Sequence, residues 1–373
     1  MRIGVPKEIK PQEFRVGLVP ASVRELAARG HEVVVETGAA AGIGFTDDDY
    51  RAAGADIAGV EDVFATADMI VKVKEPQAAE CAMLRDGQVL FTYLHLAADP
   101  AQAAGLKRSG AIAIAYETVT DDNGGLPLLA PMSEVAGKMS VQVGAHCLEK
   151  AQGGLGLLIG SVTGVEAACV TVLGGGVAGS NAAEMAIGLG ARVTILERSL
   201  DRLRALHQRF GERINAVYST AEAVERYVLN ADLVIGAVLI PGATAPRLVG
   251  RDMVAAMRPG AVLVDIAIDQ GGCFETSRPT THAEPTYAVD GVVHYCVTNM
   301  PGAVPRTSAF ALNYAVLPHV LALANKGWRR ALADDRHLRS GLNVQAGRIT
   351  HPAVAASLHE TDATALMEKE MAA

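Results

Sequence analysis

Short apolar runs alternate with longer stretches of mixed apolar and polar residues over the first 130 positions of the chain. Apolar runs of about four to eight residues bounded by turn residues are typical of buried strands, whereas helical spacing indicates α-helices. The predicted strands are Glu32–Glu36, Met69–Val73, Val89–Leu96 and Ala111–Ala115. The stretch Pro20–Arg29 is predicted to be a helix that Gly30 ends.

A second series of alternating segments follows the strong turn signal Asp121–Gly125. A helix is predicted over residues 133–151, and a long helix over 307–330 is predicted to return the chain to its first domain. The predicted strands between these helices are Val170–Leu173, Arg192–Leu196, Ala216–Tyr218, Leu233–Ala237 and Ala261–Ile266. Strands that alternate with helices at this spacing predict an α/β protein with doubly wound, mainly parallel sheets.

The strand Val170–Leu173 leads into a glycine-rich turn that matches the dinucleotide-binding pattern GxGxxG at Gly174, Gly176 and Gly179. A predicted helix, Ser180–Leu189, follows directly, so a pyrophosphate is expected at its N-terminus. The next strand ends in Glu197, 23 positions beyond Gly174, where a carboxylate accepts hydrogen bonds from the adenosine ribose. Glu197 favours NAD over NADP because it would repel a 2′-phosphate, although Arg198 and Arg202 nearby weaken that inference.

Length and charge narrow the class of protein. A chain of 373 residues predicts about two domains. The formal net charge of −8 and the lack of a basic run argue against nucleic-acid binding. Hydrophobic residues make up 50% of the chain and aromatic ones only 4%, which excludes a disordered chain and suits Ala-rich helices packed on aliphatic strands.

The cysteines and the apolar segments indicate the cellular compartment in which the protein is expected. Five cysteines without a CxxC pair argue against a disulfide framework, and the first residues lack the apolar run of a signal peptide. The uncharged run 307–325 contains Asn, Pro and His, so a buried helix is expected there rather than a membrane span. The sequence therefore predicts a cytoplasmic protein without a membrane partner.

Polar residues near the ends of the predicted strands are candidates for chemistry, because ligands of α/β sheets bind beyond the carboxyl ends of strands. Lys72 and Lys74 alternate and are expected to share one face, and His95 follows a strand on the face of Phe91 and Tyr93. Taken singly, each has an ordinary structural interpretation, as a solvated lysine or a core histidine.

Considered together with Arg15, these residues suit a small carboxylate substrate and an acid/base imidazole. Asp269 follows a strand of the second domain and precedes a glycine turn, where it would be either functional or a turn-capping residue. No metal site is expected, since His282, His294 and His319 lack the spacing of metal ligands.

Long strings of the sequence closely resemble the alanine dehydrogenases, and the resemblance runs along nearly the whole chain. The matching strings include RIGVPKEIKPQEFRVGLVP at 2–20, PMSEVAGKMSVQVGAHCLEK at 131–150, DIAIDQGGCFETSRPTTH at 265–282 and GVVHYCVTNMPGAVPRTS at 291–308. The last two are long and unusual, and they make the match specific. The resemblance implies the reaction of L-alanine, NAD⁺ and water to pyruvate, ammonia and NADH. It also implies a homohexamer of two Rossmann-like domains, a discontinuous substrate domain (1–129 and 304–373) and an inserted NAD domain (130–303).

Carried over residue by residue, the resemblance implies that Arg15 and Lys74 hold the substrate and that His95 and Asp269 are the acid/base residues. The implied cofactor-binding positions, besides the three glycines and Glu197, are Ser133, Val177, Ala178, Arg202, Ser219, Val238, Leu239, Ile266, Ala267, Ile268, Asp269, Arg278, Val297, Thr298, Asn299 and Met300. Some positions depart from the family pattern, such as Glu197 where Asp is frequent and Asn313-Tyr314 where Thr-Asn is usual. The longer Glu197 could loosen cofactor discrimination.

Three alternatives remain open at this stage. The chain could act on a small amino acid other than alanine, because one methylene in an apolar pocket changes selectivity by only ~1–3 kcal/mol. It could be a transhydrogenase-like NAD-binding subunit, which shares the two-domain plan. It could also bind NAD without catalysis, although the full set of candidate residues argues against this.

Overall fold

The computed structural model describes residues 1–238 and 245–359, which form two compact units. Unit 1 comprises residues 1–131 with the described residues from 304 onward, and unit 2 comprises residues 132–303. The strands, in chain order, are β1 Arg2–Val5, β2 Glu32–Glu36, β3 Asp56–Ala58, β4 Met69–Val71, β5 Val89–Thr92, β6 Ile112–Ala115, β7 Cys169–Leu173, β8 Arg192–Glu197, β9 Ile214–Tyr218, β10 Leu233–Gly236, β11 Val262–Asp265, β12 Thr286–Val289, β13 Val292–Tyr295, β14 Leu342–Gln345 and β15 Arg348–Ile349.

The helices supply the layers on the sheets. They are α1 Pro20–Ala27, α2 Asp47–Ala52, α3 Val60–Thr66, α4 Ala78–Met83, α5 Pro100–Ser109, α6 Ala130–Cys147, α7 Val177–Gly188, α8 Leu200–Phe210, α9 Ala221–Leu229, α10 Arg251–Ala256, α11 Pro305–Lys326, α12 Trp328–Asp334, α13 Arg336–Arg339 and α14 Pro352–Ser357.

The sheet of unit 1 has the strand order β15-β14-β6-β5-β4-β1-β2-β3. Strands β1 to β6 are parallel, and the returning chain adds β14 and β15 antiparallel at the β6 edge. The order 3-2-1-4-5-6 among the parallel strands is that of a doubly wound Rossmann sheet. Every residue of β4, β5 and β6 is buried, as expected for strands covered on both faces.

The sheet of unit 2 has the order β12-β13-β11-β10-β7-β8-β9, with β12 antiparallel at one edge and the other strands parallel. If the parallel strands of unit 2 are numbered in chain order from β7 as the first, they also follow the order 3-2-1-4-5-6. One side of its core packs Val234 and Leu263 of the sheet against Val228, Val254 and Phe274. The predicted α/β class with two Rossmann-like sheets is therefore confirmed.

Several predicted element ends were wrong, and each has a local cause. The strand predicted over 89–96 ends at Thr92, because the amides of Leu94 and His95 donate to the Glu117 carboxylate instead of to a strand. The strand predicted to Val73 ends at Val71, because the Val73 amide donates to the Glu8 carboxylate.

The helix ends also differ from the prediction. The helix predicted from residue 133 to 151 spans Ala130–Cys147, and Pro131 is accommodated in its first turn. The helix predicted over 307–330 is interrupted at Gly327, whose φ of 73° and ψ of 154° are incompatible with a helix. The chain continues from there as α12.

One described helix, α11, is long and apolar enough to span a membrane by length and composition alone. It carries a fully buried Asn313, whose Oδ1 accepts from the Val19 amide at 2.8 Å and whose Nδ2 donates to the carbonyls of Val16 and Ala309. These bonds join α11 to the start of α1 within unit 1. Such polar packing is typical of a core helix, as the sequence predicted for this segment.

Candidate active site

The glycine-rich turn of unit 2 lies between β7 and α7, where the strand order of the sheet reverses from β7-β8 to β7-β10. A side chain at Gly179 would overlap the Gly174 carbonyl oxygen, so only glycine allows α7 to pack this closely on the turn. A Cβ at Gly176 would meet no atom within 4 Å, so space is open beside the first turn of α7. The open space and the helix N-terminus together fit a pyrophosphate.

Glu197 ends β8 beside this turn, as predicted. Its Oε2 accepts from the Gly175 amide at 2.9 Å, and its Oε1 accepts from the amides of Arg198 and Ser199 at 2.7 and 2.9 Å. The carboxylate is therefore fixed by backbone donors, and Oε2, which accepts only one of these three bonds, keeps lone-pair capacity for a ribose hydroxyl. Arg202 lies exposed in the first turn of α8, where its amide is capped by the Ser199 hydroxyl.

The other predicted cofactor residues of unit 2 mostly follow parallel strands at one edge of the sheet. Ser219 follows β9, Val238 follows β10, residues 266–269 follow β11 and residues 297–300 follow β13. The Val238 side chain approaches the turn, within 3.0 Å of where a Gly174 Cβ would stand. The structure thus brings these groups to the carboxyl edge, where ligands of such sheets bind.

Three predicted positions either do not directly follow a parallel strand or lie outside the described residues. Ser133 is on α6, and α6 contacts the start of α7 because Gly137 packs directly on the Ala178 backbone. Arg278 is exposed and its guanidinium stacks 4.1 Å from the centre of the Tyr287 ring. Leu239 lies outside the described residues.

Asp269 lies in a single 3₁₀ turn, Ile266–Gln270, directly after β11. Its side chain is exposed, and within residues 1–238 and 245–359 it has no hydrogen-bond or ion-pair partner. The neighbouring Ile268 is buried and anchors the turn. Asp269 is therefore not the turn-capping residue, a role that Asp265 fills by accepting from the Ala267 amide.

In unit 1, Lys74 lies just beyond β4, next to the point between β1 and β4 where the strand order reverses. Its backbone is held on both sides: the amide donates to Glu8 Oε1 at 3.3 Å, and the carbonyl accepts from Thr92 Oγ1 at 2.9 Å. The Lys74 side chain is half-buried. Lys74 therefore lies at the carboxyl edge of the sheet, where ligands of such sheets bind.

Lys72 does not share this environment, and the prediction that it lies on one face with Lys74 was wrong. The strand has already ended at Val71, and the Lys72 ammonium is fully buried between Glu80 Oε1 at 2.5 Å and Glu8 Oε2 at 3.2 Å. Burial raises the pKa of Glu8, while the nearby Lys72 charge lowers it. Lys72 is thus a structural cation.

Arg15 is almost wholly buried, with 2% of its side chain exposed. Its Nε and one terminal nitrogen donate to the two oxygens of Glu13 at 2.7 and 2.5 Å. Burial acts to lower the pKa of Arg15, but the hydrogen bonds and charge of Glu13 outweigh it and raise that pKa. The guanidinium is therefore charged and oriented by its neighbour.

His95 adopts a left-handed backbone conformation, with φ 51° and ψ 36°. A non-glycine residue held there stores strain of order 1–3 kcal/mol, which clusters at functional sites. Glu117 enforces the conformation by accepting from the Leu94 and His95 amides, at 3.2 and 2.6 Å. The imidazole is about half exposed and stacks on the Tyr93 ring, with the ring centres 5.8 Å apart.

Sequence reasoning missed the acidic residues that support these groups: Glu8, Glu13, Glu80, Glu117 and Asp265. Only Glu13 gave a local signal, because it stands two positions before Arg15. Glu8 and Lys72 are 64 positions apart and Glu117 and His95 are 22 apart, so the fold alone pairs them. Within the described residues, no three His, Cys, Asp or Glu side chains are grouped to hold a metal ion.

Comparison with known families covers almost the whole chain. Residues 4–136 match the family described as Alanine dehydrogenase/PNT, N-terminal domain, and residues 140–352 match Alanine dehydrogenase/PNT, C-terminal domain. The junction between the two matches falls within α6, close to the division between the two units.

Similar proteins agree with this match. An alanine dehydrogenase from Halomonas elongata is 62% identical over 95% of this chain and 96% of its own length. A solved structure titled L-alanine dehydrogenase has a TM-score of 0.93 at 54% identity, covering 96% of this chain and 99% of its own. A transhydrogenase structure from Sinorhizobium meliloti has a TM-score of 0.83 at 26% identity, covering 94% and 100%. The chain therefore belongs to the alanine dehydrogenase/PNT family.

Proposed function

We propose that the protein catalyses the reversible, NAD-dependent oxidative deamination of L-alanine. Written forward, L-alanine, NAD⁺ and water give pyruvate, ammonium, NADH and a proton. The observation that carries this proposal is that the chain holds a dinucleotide-type glycine turn in unit 2 and an oriented arginine, lysine and histidine in unit 1, each described within its own unit. The much higher identity to alanine dehydrogenases than to the transhydrogenase supports the same choice.

The proposed cofactor is NAD, held at the carboxyl edge of the unit 2 sheet. Gly174, Gly176 and Gly179 would admit the pyrophosphate, and Glu197 would accept from the ribose hydroxyls. The remaining proposed cofactor positions are Ser133, Val177, Ala178, Arg202, Ser219, Val238, Leu239, Ile266, Ala267, Ile268, Asp269, Arg278, Val297, Thr298, Asn299 and Met300. When bound, NAD⁺ supplies the acceptor for the hydride that leaves Cα.

Arg15 and Lys74 are proposed to bind the substrate carboxylate and carbonyl. The buried Glu13 keeps the guanidinium charged and limits its rotation, so less entropy is lost when a carboxylate binds. The Lys74 backbone is tied to Glu8 and Thr92, which fixes the origin of its flexible side chain.

His95 and Asp269 are proposed as the acid/base residues that handle the amine and the hydration of the imine. The imidazole accepts the proton that the amine or the attacking water releases, and returns it when ammonia leaves the carbinolamine. Asp269, whose exposed carboxylate has no partner among residues 1–238 and 245–359, orients that water or the ammonium. Both groups are fixed by local structure, one by a strained backbone and the other by a 3₁₀ turn.

The family also leads us to propose a homohexamer in the cytoplasm. Exposed apolar side chains, which are frequent at assembly surfaces, occur in unit 2 at Leu158, Val162 and Val165. Light scattering of the purified protein at several concentrations would test the hexamer, and a stable monomer would contradict it.

A direct assay tests the activity. The purified protein is mixed with NAD⁺ and L-alanine, L-serine or glycine at alkaline pH, and NADH absorbance is followed; the assay is repeated with NADP⁺. We expect L-alanine with NAD⁺ to be the most efficient pair. No NADH with any amino acid would refute the dehydrogenase proposal, and a preference for serine or glycine would reassign its substrate.

The acid/base role has its own test. His95→Ala should lose at least ~10²-fold in turnover, the lower end for removal of a general acid/base, while NADH still binds. His31→Ala is the matched control, because His31 is a surface histidine of unit 1 bonded to Asn325. Near-full turnover in His95→Ala would show that the assignment is wrong.

A further inference from the structure

A buried carboxylate at the end of β11 lies at the centre of the loop that carries Asp269. Asp265 is 0% exposed. Its Oδ1 accepts from the Ala267 amide at 3.1 Å, and its Oδ2 accepts from the Cys273 amide at 2.8 Å and from Ser277 Oγ at 2.5 Å. The Phe274 amide also donates to it. One side chain therefore ties residues on both sides of Asp269.

The backbone of the same loop is shaped around this carboxylate. Gly272 has φ 81°, and a Cβ there would stand 2.7 Å from Asp265 Oδ2 and 3.0 Å from the Ser277 Cβ. A larger residue would push the returning chain away from the carboxylate. The loop is thus closed twice, by the carboxylate bonds and by the Gly272 amide donating to the Ala267 carbonyl at 3.1 Å.

The four donors fill the lone-pair sites of the two carboxylate oxygens, so the hydrogen-bonding capacity of Asp265 is used within this loop. Among residues 1–238 and 245–359 no cation pairs with Asp265, so its burial costs stability, and burial raises the pKa of Asp265 against the effect of its four donors. Hydrophobic packing alone would close the loop without such a cost. What the carboxylate adds is a fixed direction for the turn Ile266–Gln270, from which Asp269 projects into solvent.

We propose that Asp265 is a positioning residue, which holds the 266–272 loop so that the Asp269 carboxylate is placed for amine and water handling. The proposal rests on the proposed function of Asp269. Asp265 does not touch the substrate. It acts through the geometry of the loop, where a misplacement of about 1 Å can cost ~10²-fold in rate.

The test is Asp265→Asn beside the matched control Asp232→Asn. A carboxamide keeps the shape of Asp265 but turns one acceptor oxygen into an NH₂ group that faces N–H and O–H donors. Asp232 is also buried, at 4% exposed, and accepts from the Cys169 amide at 2.8 Å and from Arg258 at 2.6 Å. It precedes β10, at the amino edge of the same sheet.

We expect Asp265→Asn to lower kcat at least about tenfold, with NADH affinity changed less than about threefold. The pH profile of kcat/KM should shift, and hydrogen exchange of residues 266–272 should become faster. Asp232→Asn should keep the wild-type pH profile and the slow exchange of that loop. Ser277→Ala, which removes a single donor, should give a smaller change in the same direction and serves if Asp265→Asn does not fold.

The outcomes are separable. Wild-type kcat and pH profile in a folded Asp265→Asn or in Ser277→Ala, or a loss no larger than that of Asp232→Asn, would overturn the positioning role. A wild-type enzyme that does not oxidise alanine would refute the proposed function instead. Asp269→Asn that keeps full turnover would refute the assignment of Asp269, and the exchange measurement still reports whether Asp265 fixes the loop.

Discussion

Removing the Lys72 ammonium tests whether the buried acidic cluster of unit 1 depends on one cation. In Lys72→Met, Glu8 and Glu80 would remain fully buried without their shared partner. At an effective dielectric constant of about 20, each N–O pair at 2.5–3.2 Å contributes roughly 5–7 kcal/mol of attraction before desolvation is subtracted. The methionine side chain fills similar space, so the cavity contribution is small.

The loss has an upper bound, because the variant can bind protons. A glutamate with an ordinary pKa of about 4.3 costs about 3.7 kcal/mol to protonate at pH 7, and neutralising one carboxylate removes the repulsion between the two buried charges. We therefore expect a loss of about 3–5 kcal/mol, the range found when one partner of a buried pair is removed. For a unit of this size that corresponds to a Tm lower by about 6–20 °C.

The assay is thermal unfolding by circular dichroism at one fixed protein concentration, at pH 7 and pH 5. Because the folded-state pKa of Glu8 is raised, its protonated form favours folding, and stability falls as the pH rises through that pKa. Lys72→Met raises this pKa further, so its deficit relative to wild type should shrink at pH 5. Lys326→Met is the control, since Lys326 pairs with Asp334 at the surface and should change stability by less than about 1 kcal/mol. A Lys72→Met protein as stable as Lys326→Met at pH 7 would refute the reasoning.

Two further predictions concern the nucleotide unit. Gly179→Ala should weaken NADH binding at least about tenfold, because the added methyl group overlaps the Gly174 carbonyl. Gly188→Ala in the same helix is the control: its methyl group meets open space, so the change should leave protein stability unchanged or raise it by up to ~1 kcal/mol. NADH fluorescence titration compares the two variants, and equal NADH affinity would contradict the packing argument. Glu197→Gln should raise the efficiency with NADP⁺ relative to NAD⁺ at least about tenfold, because it removes the charge that repels a 2′-phosphate. An unchanged kcat/KM ratio would mean that Glu197 does not set cofactor choice.

The sequence predicted those parts of the molecule that local patterns encode. The strand Glu32–Glu36 and the centres of the other named strands are where apolar runs and flanking turns placed them, since such runs are buried on both faces of a parallel sheet. The glycine turn after β7 could also be predicted from the sequence, because its geometry needs glycine at fixed positions.

Element ends and supporting charges could not be read in the same way. The strand before His95 stops early because Glu117, 22 positions later, captures the amides of Leu94 and His95. Lys72 and Lys74 look equivalent in VKVKEP, yet only the folded position of Glu8 and Glu80 makes one of them structural. Such pairs arise from tertiary contacts, which the local periodicity of apolar and polar residues does not predict.

The antiparallel edge of the unit 1 sheet has a consequence for how the chain folds during synthesis. Strand β6 ends at Ala115, but its partner β14 begins only at Leu342, after all of unit 2 has left the ribosome. Until then β6 is an unpaired sheet edge, which is a site for wrong pairing between chains. Unit 2 is one continuous stretch of the chain, so its sheet can form before the last strands of unit 1 have been synthesised. Slow synthesis or truncation before residue 349 should therefore expose an aggregation-prone intermediate that no property of the finished molecule reveals.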